Sequence, residues 1–583
     1  MDMFIKILFL VVFFAVMIGV GIYCRKQATN VNGFVLGNRS VGPWLTAFAF
    51  GTSYFSAVIF VGYAGQFGWR FGLASTWIGL GNAFIGSLLA WNILGRRTRV
   101  MTQHLDTATM PDFFAKRYNS KALKIAASII IFIFLIPYTA SLYNGLSRLF
   151  EMAFGIPYTY CVIAMAVLTG IYVVLGGYMA TAINDFIQGI IMLVGIVAVI
   201  AAVMQVNGGL TESIAKLSQG STTTASGTEL NGAFTSFFGP DIFSLIGVVI
   251  LTSLGTWGLP QMVQKFYAIK SEKSISTGTI VSTVFAIIVA GGCYFLGGFG
   301  RLFGTADPAT GKPEGGYDAV IPSMLENLSP ILIGIVVVLV LSASMSTLSS
   351  LVLTSSSVLT IDFIDPVFCA KKSMTDKKKV LWMRIFIVFF IAVSAFIAIV
   401  QANSPVLFIS QMMGVSWGAL AGAFLAPFMY GLYMKRVPKC AVWINFALGI
   451  GISLASFICN LTGVKFDNAV LEYFKSPINA GMLAMVLGIV LTPIITLIAP
   501  AKDKDRIAEI FSCYSKKVTV SSKKSIVEEA SEELPPEELT ISENLSSGKR
   551  AAKAVQPKTI KAKNTVNKNT KKGNDQNDVS ERH

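Results

Sequence analysis

Charge is scarce in this chain: 13% of its 583 residues are Asp, Glu, Lys or Arg. Histidine is scarcer, with His104 and His583 the two copies. The seven cysteines (Cys24, Cys161, Cys293, Cys369, Cys440, Cys459 and Cys513) follow neither metal nor disulfide spacing. These shortages count against His-based metal or acid–base chemistry, though not against carboxylate chemistry. The cysteines read as apolar packing residues or free thiols. Because 54% of the residues are hydrophobic, so little charge also excludes a soluble globular domain. What the chain has is long apolar runs, the mark of an all-α polytopic membrane protein. A net charge of +16 would suggest nucleic acid in a soluble protein. Here membrane topology explains it better.

About thirteen runs are long enough to span a bilayer. Lys and Arg crowd alternate loops: Arg25, Lys26 and Arg39; Arg96, Arg97, Arg99, Lys116 and Arg117; Lys265, Lys270 and Lys273; Lys371, Lys372 and Lys377 to Lys379; Lys435, Arg436 and Lys439. With the N-terminus outside, every rich loop falls on one side, and the positive-inside rule places that side and the C-terminus in the cytoplasm. The expected organisation is an extra helix and loop at 1–41, a first five-helix repeat at 42–205 and an irregular outer loop at 206–240. A second repeat at 241–433, two further helices at 434–500 and a cytoplasmic, largely disordered tail at 501–583 complete it. An acidic cluster and a Lys-rich run at 549–572 mark the tail.

One apolar run, 331–359, carries an unusual middle, LSASMSTLSSL at Leu341–Leu351. Wound as a helix, it puts Ser342, Ser346 and Ser349 on one face and Ala343, Thr347 and Ser350 on the next. Two readings are open. Small residues let helices approach closely, and a stripe of oxygens at membrane depth can cage a hard cation such as Na+. Two other runs are interrupted in mid-span, at Gly51–Ser56 and at Gly255–Gln261, which contains Pro260. Gly weakens a helix and Pro removes a backbone donor. Paired interruptions at corresponding places in two halves point to a transporter binding site, and five spans separate these two. Asp185 is the clearest ionisable residue within a span. A carboxylate at the membrane centre costs roughly 2.5–3.5 kcal/mol on insertion scales, so a partner or a task is expected for it.

The stretch Gly176–Gln188, GGYMATAINDFIQ, resembles the signature of the sodium:solute symporter family, GG-x-x-A-x-x-x-x-D-x-x-Q. Met345–Ser349 resembles that family's ion-site helix, and Leu36–Pro43 and Thr109–Phe114 resemble its early loops. The resemblance covers about residues 1–500. It implies a five-plus-five inverted-repeat core of the leucine-transporter type, alternating access and Na+ as the coupling ion. It also implies a Na+ site made by the backbone carbonyls of Thr52, Phe55 and Ala343 with the hydroxyls of Ser346 and Thr347. Some members have a second Na+ site nearer the cytoplasm, whose positions fall on Asp185, Ser346, Ser349 and Ser350. The layout is similar to the bacterial proline branch, with departures. Tyr54 stands where that branch has an acid, and Thr252 and Thr256 stand where it has Trp and Tyr. Tyr138 matches a tyrosine of the branch.

The substrate site is expected mid-membrane, between the two breaks. Its candidates are Ser53, Tyr54 and Ser56; Tyr138 and Asn144; Thr256, Trp257 and Gln261; and Gln411. For each, membrane packing is an equal reading. The set suits a small polar organic solute of the amino-acid, monocarboxylate or sugar class. The expected function is therefore sodium-coupled secondary active symport across the cell membrane by a single chain. Its partners are a small molecule, Na+ and the lipid bilayer, with no nucleic acid and no enzymatic chemistry. A solute sensor that signals through its tail, and proton coupling through Asp185, are the competing readings.

Overall fold

The computed structural model describes residues 2–223, 229–307, 311–326, 328–369, 372–403 and 409–515. The acidic cluster and Lys-rich run of the tail lie outside them. Among the described residues, ten helices are long and apolar enough to cross a membrane, or eleven if one bent pair is taken as a single span. The fold is all-α in its membrane part. The first helix, α1 (Asp2–Cys24), is followed by a helix broken in two, α2 (Pro43–Tyr54) and α3 (58–71). Next come α4 (72–104), α5 (Met110–Tyr118) and α6 (Lys121–Phe154). The halves α7 (158–176) and α8 (178–206) follow. The second broken helix is α9 (Ile242–Gly258) with α10 (Pro260–Tyr267), then α11 (273–297) and α12 (Pro330–Val358). The remaining helices are α13 (Asp376–Asn403), α14 (Ile409–Tyr433), α15 (Lys439–Leu461), α16 (Pro477–Ile498) and the short α17 (Lys504–Phe511).

The two breaks have the same local shape and different causes. At the second, Leu259 precedes Pro260, and the proline ring disfavours a helical residue before it. Leu259 is accordingly extended, at φ −77° and ψ 124°, and the two halves bend by 46°. At the first, Phe55 is extended at φ −87° and ψ 125°, with no proline near. There the hydroxyls of Thr52 and Ser53 fold back onto the carbonyls of Phe48 (2.8 Å) and Ala49 (2.6 Å). Such back-bonding weakens and bends a helix.

Two helical stretches run for 47 and 49 residues, Val58–His104 (α3 and α4) and Tyr158–Val206 (α7 and α8). Unbroken, at a rise of 1.5 Å per residue, each would be roughly 70 Å long, more than twice the ~30 Å hydrocarbon core, so each is two helices joined at a kink. Each holds a glycine in a backbone region closed to side chains. Gly72 has φ 61° and ψ −139°, and Gly177 has φ 55° and ψ −150°. A Cβ on Gly177 would also meet the Phe34 carbonyl oxygen at 2.9 Å.

The described residues of 206–240 hold more regular structure than their composition suggests. They include a helix, Leu210–Ser218, and an antiparallel pair of strands, Ser221–Thr223 with Glu229–Asn231. The start of the tail is ordered too. Ile507, Ile510 and Phe511 of α17 are buried, and Arg506 donates to the carbonyls of Lys116 (2.9 Å) and Arg117 (3.2 Å).

Candidate functional site

The break between α2 and α3 leaves two backbone carbonyls, Thr52 and Phe55, to which no backbone N–H donates among the described residues. Helix α12 crosses there and supplies hydroxyls. Thr347 Oγ1 lies 3.2 Å from the carbonyl oxygens of Thr52, Phe55 and Ala343 alike. Ser346 Oγ lies 3.1 Å from Thr52 O and 3.0 Å from Ala343 O. All five residues are buried. The structure thus brings together the five oxygens that the family resemblance implies, from two helices nearly three hundred positions apart. Every one is a hard, neutral oxygen. No cluster of three or more His, Cys, Asp or Glu able to hold a metal occurs among the described residues. The donor set therefore fits a hard monovalent cation and not a transition metal.

A second polar cluster lies beside the first, and it contains a residue misplaced by the loop count. Lys265 was grouped with the basic loops, but its side chain is buried in α10. Its Nζ sits 3.6 Å from Asp185 Oδ2 on α8 and 3.0 Å from Ser350 Oγ on α12. Ser350 Oγ in turn lies 2.8 Å from Ser53 Oγ on α2. The partner expected for Asp185 is therefore Lys265. Of the expected group of Asp185, Ser346, Ser349 and Ser350, the structure ties Asp185 and Ser350 together through the Lys265 ammonium. The Ser349 hydroxyl donates to Ser346 O of its own helix at 2.9 Å, and the Lys265 ammonium stands next to the carboxylate. The sequence held a clue: Lys265 is five residues past Pro260, inside the apolar stretch rather than after it.

The substrate candidates divide. Tyr54 Oη, Ser56 Oγ, Tyr138 Oη and both amide atoms of Gln261 are buried, and none has a hydrogen-bond partner among the described residues. Tyr54 and Tyr138 flank Trp417 of α14, each with its ring centroid 6.0 Å from the indole. Trp417 Nε1, Tyr63 Oη and Tyr294 Oη are likewise buried without a partner. Sequence reasoning missed these three, because an aromatic in an apolar run gives no sign of its direction. Other candidates are turned elsewhere. The Thr256 hydroxyl donates to Gly86 O (3.0 Å) and Ser253 O (2.9 Å), and the Trp257 indole donates to Ile85 O (3.0 Å). Both tie α9 to α4. Ser53 points into the Lys265 cluster. Asn144 accepts from Tyr158 Oη and lies 3.8 Å from Met412 Sδ. Gln411 is half-buried at the start of α14.

The sodium:solute symporter family profile matches residues 34–445. The chain belongs to the sodium:solute symporter family. It is 32% identical over 442 residues to the sodium/proline symporter of Staphylococcus aureus (strain JH9), an alignment covering 73% of this chain and 81% of that protein. Its fold matches that of a Na+-coupled sialic acid symporter at 18% identity and a TM-score of 0.67, covering 85% of this chain and 98% of that one. The symporter fold is thus of the leucine-transporter type. The protein is a multi-pass membrane transporter that couples Na+ to the movement of a small solute, and it is not an enzyme.

One more buried charge in this symporter escaped the sequence. Asp362, one helical turn beyond α12, is fully buried and lies 3.1 Å from Lys124 Nζ of α6. The same ammonium sits 2.8 Å from Asp112 of α5. The three charges tie the end of α12 to α5 and α6, away from the helix break.

Proposed function

We propose that this symporter imports a small amino acid or monocarboxylate with Na+ by alternating access, and that Na+ is held by Thr52, Phe55, Ala343, Ser346 and Thr347. The observation that carries this is the convergence of three carbonyls and two hydroxyls at one break. Irregular backbone at membrane depth is tolerated where it lines such a site. In the ion-bound form the hydroxyls turn their lone pairs, not their protons, toward the ion. Na+ then ties α2 to α12, which favours the form open to the outside.

The solute binds on the other side of the break, against Tyr54, Ser56, Tyr138 and Trp417, with Gln261 reaching it from the second break. Their polar atoms are neutral hydroxyls, an indole N–H and an amide. Helix α3 begins at the break, so its first N–H groups and the positive end of its dipole meet the same gap. That end suits a carboxylate, which favours an amino acid or monocarboxylate over a sugar. Proline is the first solute to try, given the staphylococcal relative. The topology is thirteen passes with the N-terminus outside, repeats at 42–205 and 241–433, and a functional monomer. Uptake of proline, a panel of other amino acids, monocarboxylates and sugars into proteoliposomes tests the reading. An inward Na+ gradient should stimulate uptake of at least one acid over an equal K+ gradient. Stimulation of a sugar alone would remove the carboxylate argument, and stimulation of nothing would remove the symport reading for this panel.

A further inference from the structure

We propose that α17 and Tyr514, which follows it, form a clasp that holds the cytoplasmic seam between α4 and α14 closed. The start of the tail thereby sets how readily this symporter opens inward. The proposal rests on the alternating-access reading and on the thirteen-pass topology, which places these helix ends in the cytoplasm. One side of the seam is the inner end of α4, and it is joined to both broken helices. Arg99 is buried and donates to the carbonyls of Ile269 (2.9 Å) and Lys270 (2.8 Å), just past α10. The Lys270 N–H donates to Val41 O at 3.0 Å, and the Val41 N–H to Ala268 O at 3.3 Å, just ahead of α2. The other side is α14 with α5, where Arg117 donates to Gly431 O and Met434 O at 2.8 Å each.

The clasp touches both sides. The Arg97 guanidinium of α4 lies between the rings of Tyr433 on α14 and Tyr514, 4.0 and 4.7 Å from their centroids. Tyr514 Oη reaches Leu432 O at 3.1 Å and Arg97 O at 3.4 Å, one carbonyl on each side. His104 of α4 has its Nε2 3.3 Å from Glu509 O, while the Phe511 ring lies 5.0 Å from the Arg117 guanidinium. Solute at the breaks leaves inward when α10 and the start of α2 part from the helices facing them. The bonds of Arg99 and Val41 make that movement carry α4 away from α14. Helix α17 can follow one side only, and its contacts to the other are lost. Those contacts therefore weight the equilibrium toward the form closed on the inside. A cation held between two aromatic rings adds to that weight.

The test reads inner opening as the reactivity of a thiol. Ser357 is buried at the inner end of α12, beside Thr354 and Gln264 of α10. The full-length protein carrying Ser357→Cys is labelled with a small methanethiosulfonate and read site by site by mass spectrometry. Labelling of that site should be slow in Na+ and faster in K+. Adding Tyr514→Ala should speed it in Na+ roughly 2- to 12-fold, the effect of losing one ordinary hydrogen bond. Ending the chain after Lys502 should speed it at least as much. Ending it after Ser515 should leave the rate unchanged, and a faster rate there would overturn the assignment to α17. Cys293, fully buried in α11, should stay unlabelled throughout. An unchanged rate in Na+ for both Tyr514→Ala and the chain ended after Lys502, with K+ still accelerating, would overturn the proposal. So would labelling of Cys293 along with the reporter, because that marks general loosening. Equal rates in Na+ and K+ would instead remove the Na+-driven alternation on which the proposal rests.

Discussion

Thr347→Val keeps the shape of the side chain and removes the one hydroxyl that reaches three carbonyls at once, each at 3.2 Å. With Na+ bound, that hydroxyl is one of five oxygens on the ion. A polar contact to a charged group contributes about 1.5–3 kcal/mol, which would raise the half-saturating Na+ concentration roughly 10- to 150-fold. The ion-free form loses something as well. Thr347 is the hydroxyl that donates to Phe55 O, whereas Thr52 O and Ala343 O keep Ser346. An unmatched buried carbonyl costs about 1–3 kcal/mol, and Na+ relieves that cost when it binds. The two effects oppose; taking about 2.5 kcal/mol for the contact to the ion and about 1 kcal/mol for the neutral carbonyl leaves about 1.5 kcal/mol, a rise of about tenfold. The assay is solute uptake against Na+ concentration at constant ionic strength, with surface amounts matched. Thr354→Val serves as the control, because the Thr354 hydroxyl bonds Gln264 away from the break. A half-saturating Na+ within twofold of wild type would refute the reasoning, and an equal rise in the control would show that lost helix packing was responsible.

Other consequences are open to measurement. Lys124→Met leaves Asp362 buried and unpaired and should destabilise the protein by about 3–5 kcal/mol, read as thermal unfolding in detergent. Adding Asp362→Asn should restore at least half of that, and no recovery would show that the pair is not the cause. Gly177→Ala forces a side chain into the backbone conformation at φ 55°, ψ −150°, at a cost of about 1–3 kcal/mol. Wild-type thermal stability in that variant would contradict the assignment. Tyr138→Phe deletes a hydroxyl that makes no hydrogen bond in normal geometry among the described residues, with Ser56 and Trp417 its nearest polar neighbours. Stability should hold while the solute half-saturation rises roughly 2- to 12-fold, for a lost contact of about 0.5–1.5 kcal/mol; an unchanged half-saturation would move the solute away from Tyr138. Ending the chain after Ser515 should leave Na+-driven uptake intact, and its loss would favour the sensor reading.

Much of the architecture could be read before the coordinates. Pro260 forces Leu259 out of the helix, so one break is written in two residues. The serine spacing of Leu341–Leu351 puts Ala343, Ser346 and Thr347 within a turn of each other and the Gly51–Ser56 interruption marks a broken span, while the facing of the two came from the family resemblance. Direction was harder to read. Thr256 and Trp257 have the right chemistry for a solute, yet the crossing of α9 and α4 sets their hydroxyl and indole against Gly86 and Ile85. Lys265 was harder still. Counting basic residues treats each lysine as a loop marker, and only packing shows that Asp185, from another helix, meets this one. Asp362 was hidden for the same reason, since its partner Lys124 opens a helix and reads as an interfacial residue. Pairs of opposite charge far apart in sequence leave no periodicity to find.

The central claim is that Na+ and solute cross together, and ion flux tests it most directly. Proteoliposomes holding the purified symporter would receive equal 22Na+ on both sides and an inward gradient of a solute that the uptake panel has identified. Coupling predicts that 22Na+ accumulates inside, in fixed ratio to the solute, and that Thr347→Val reduces both fluxes together at the same Na+ concentration. Solute entry with no net movement of 22Na+ would contradict the account.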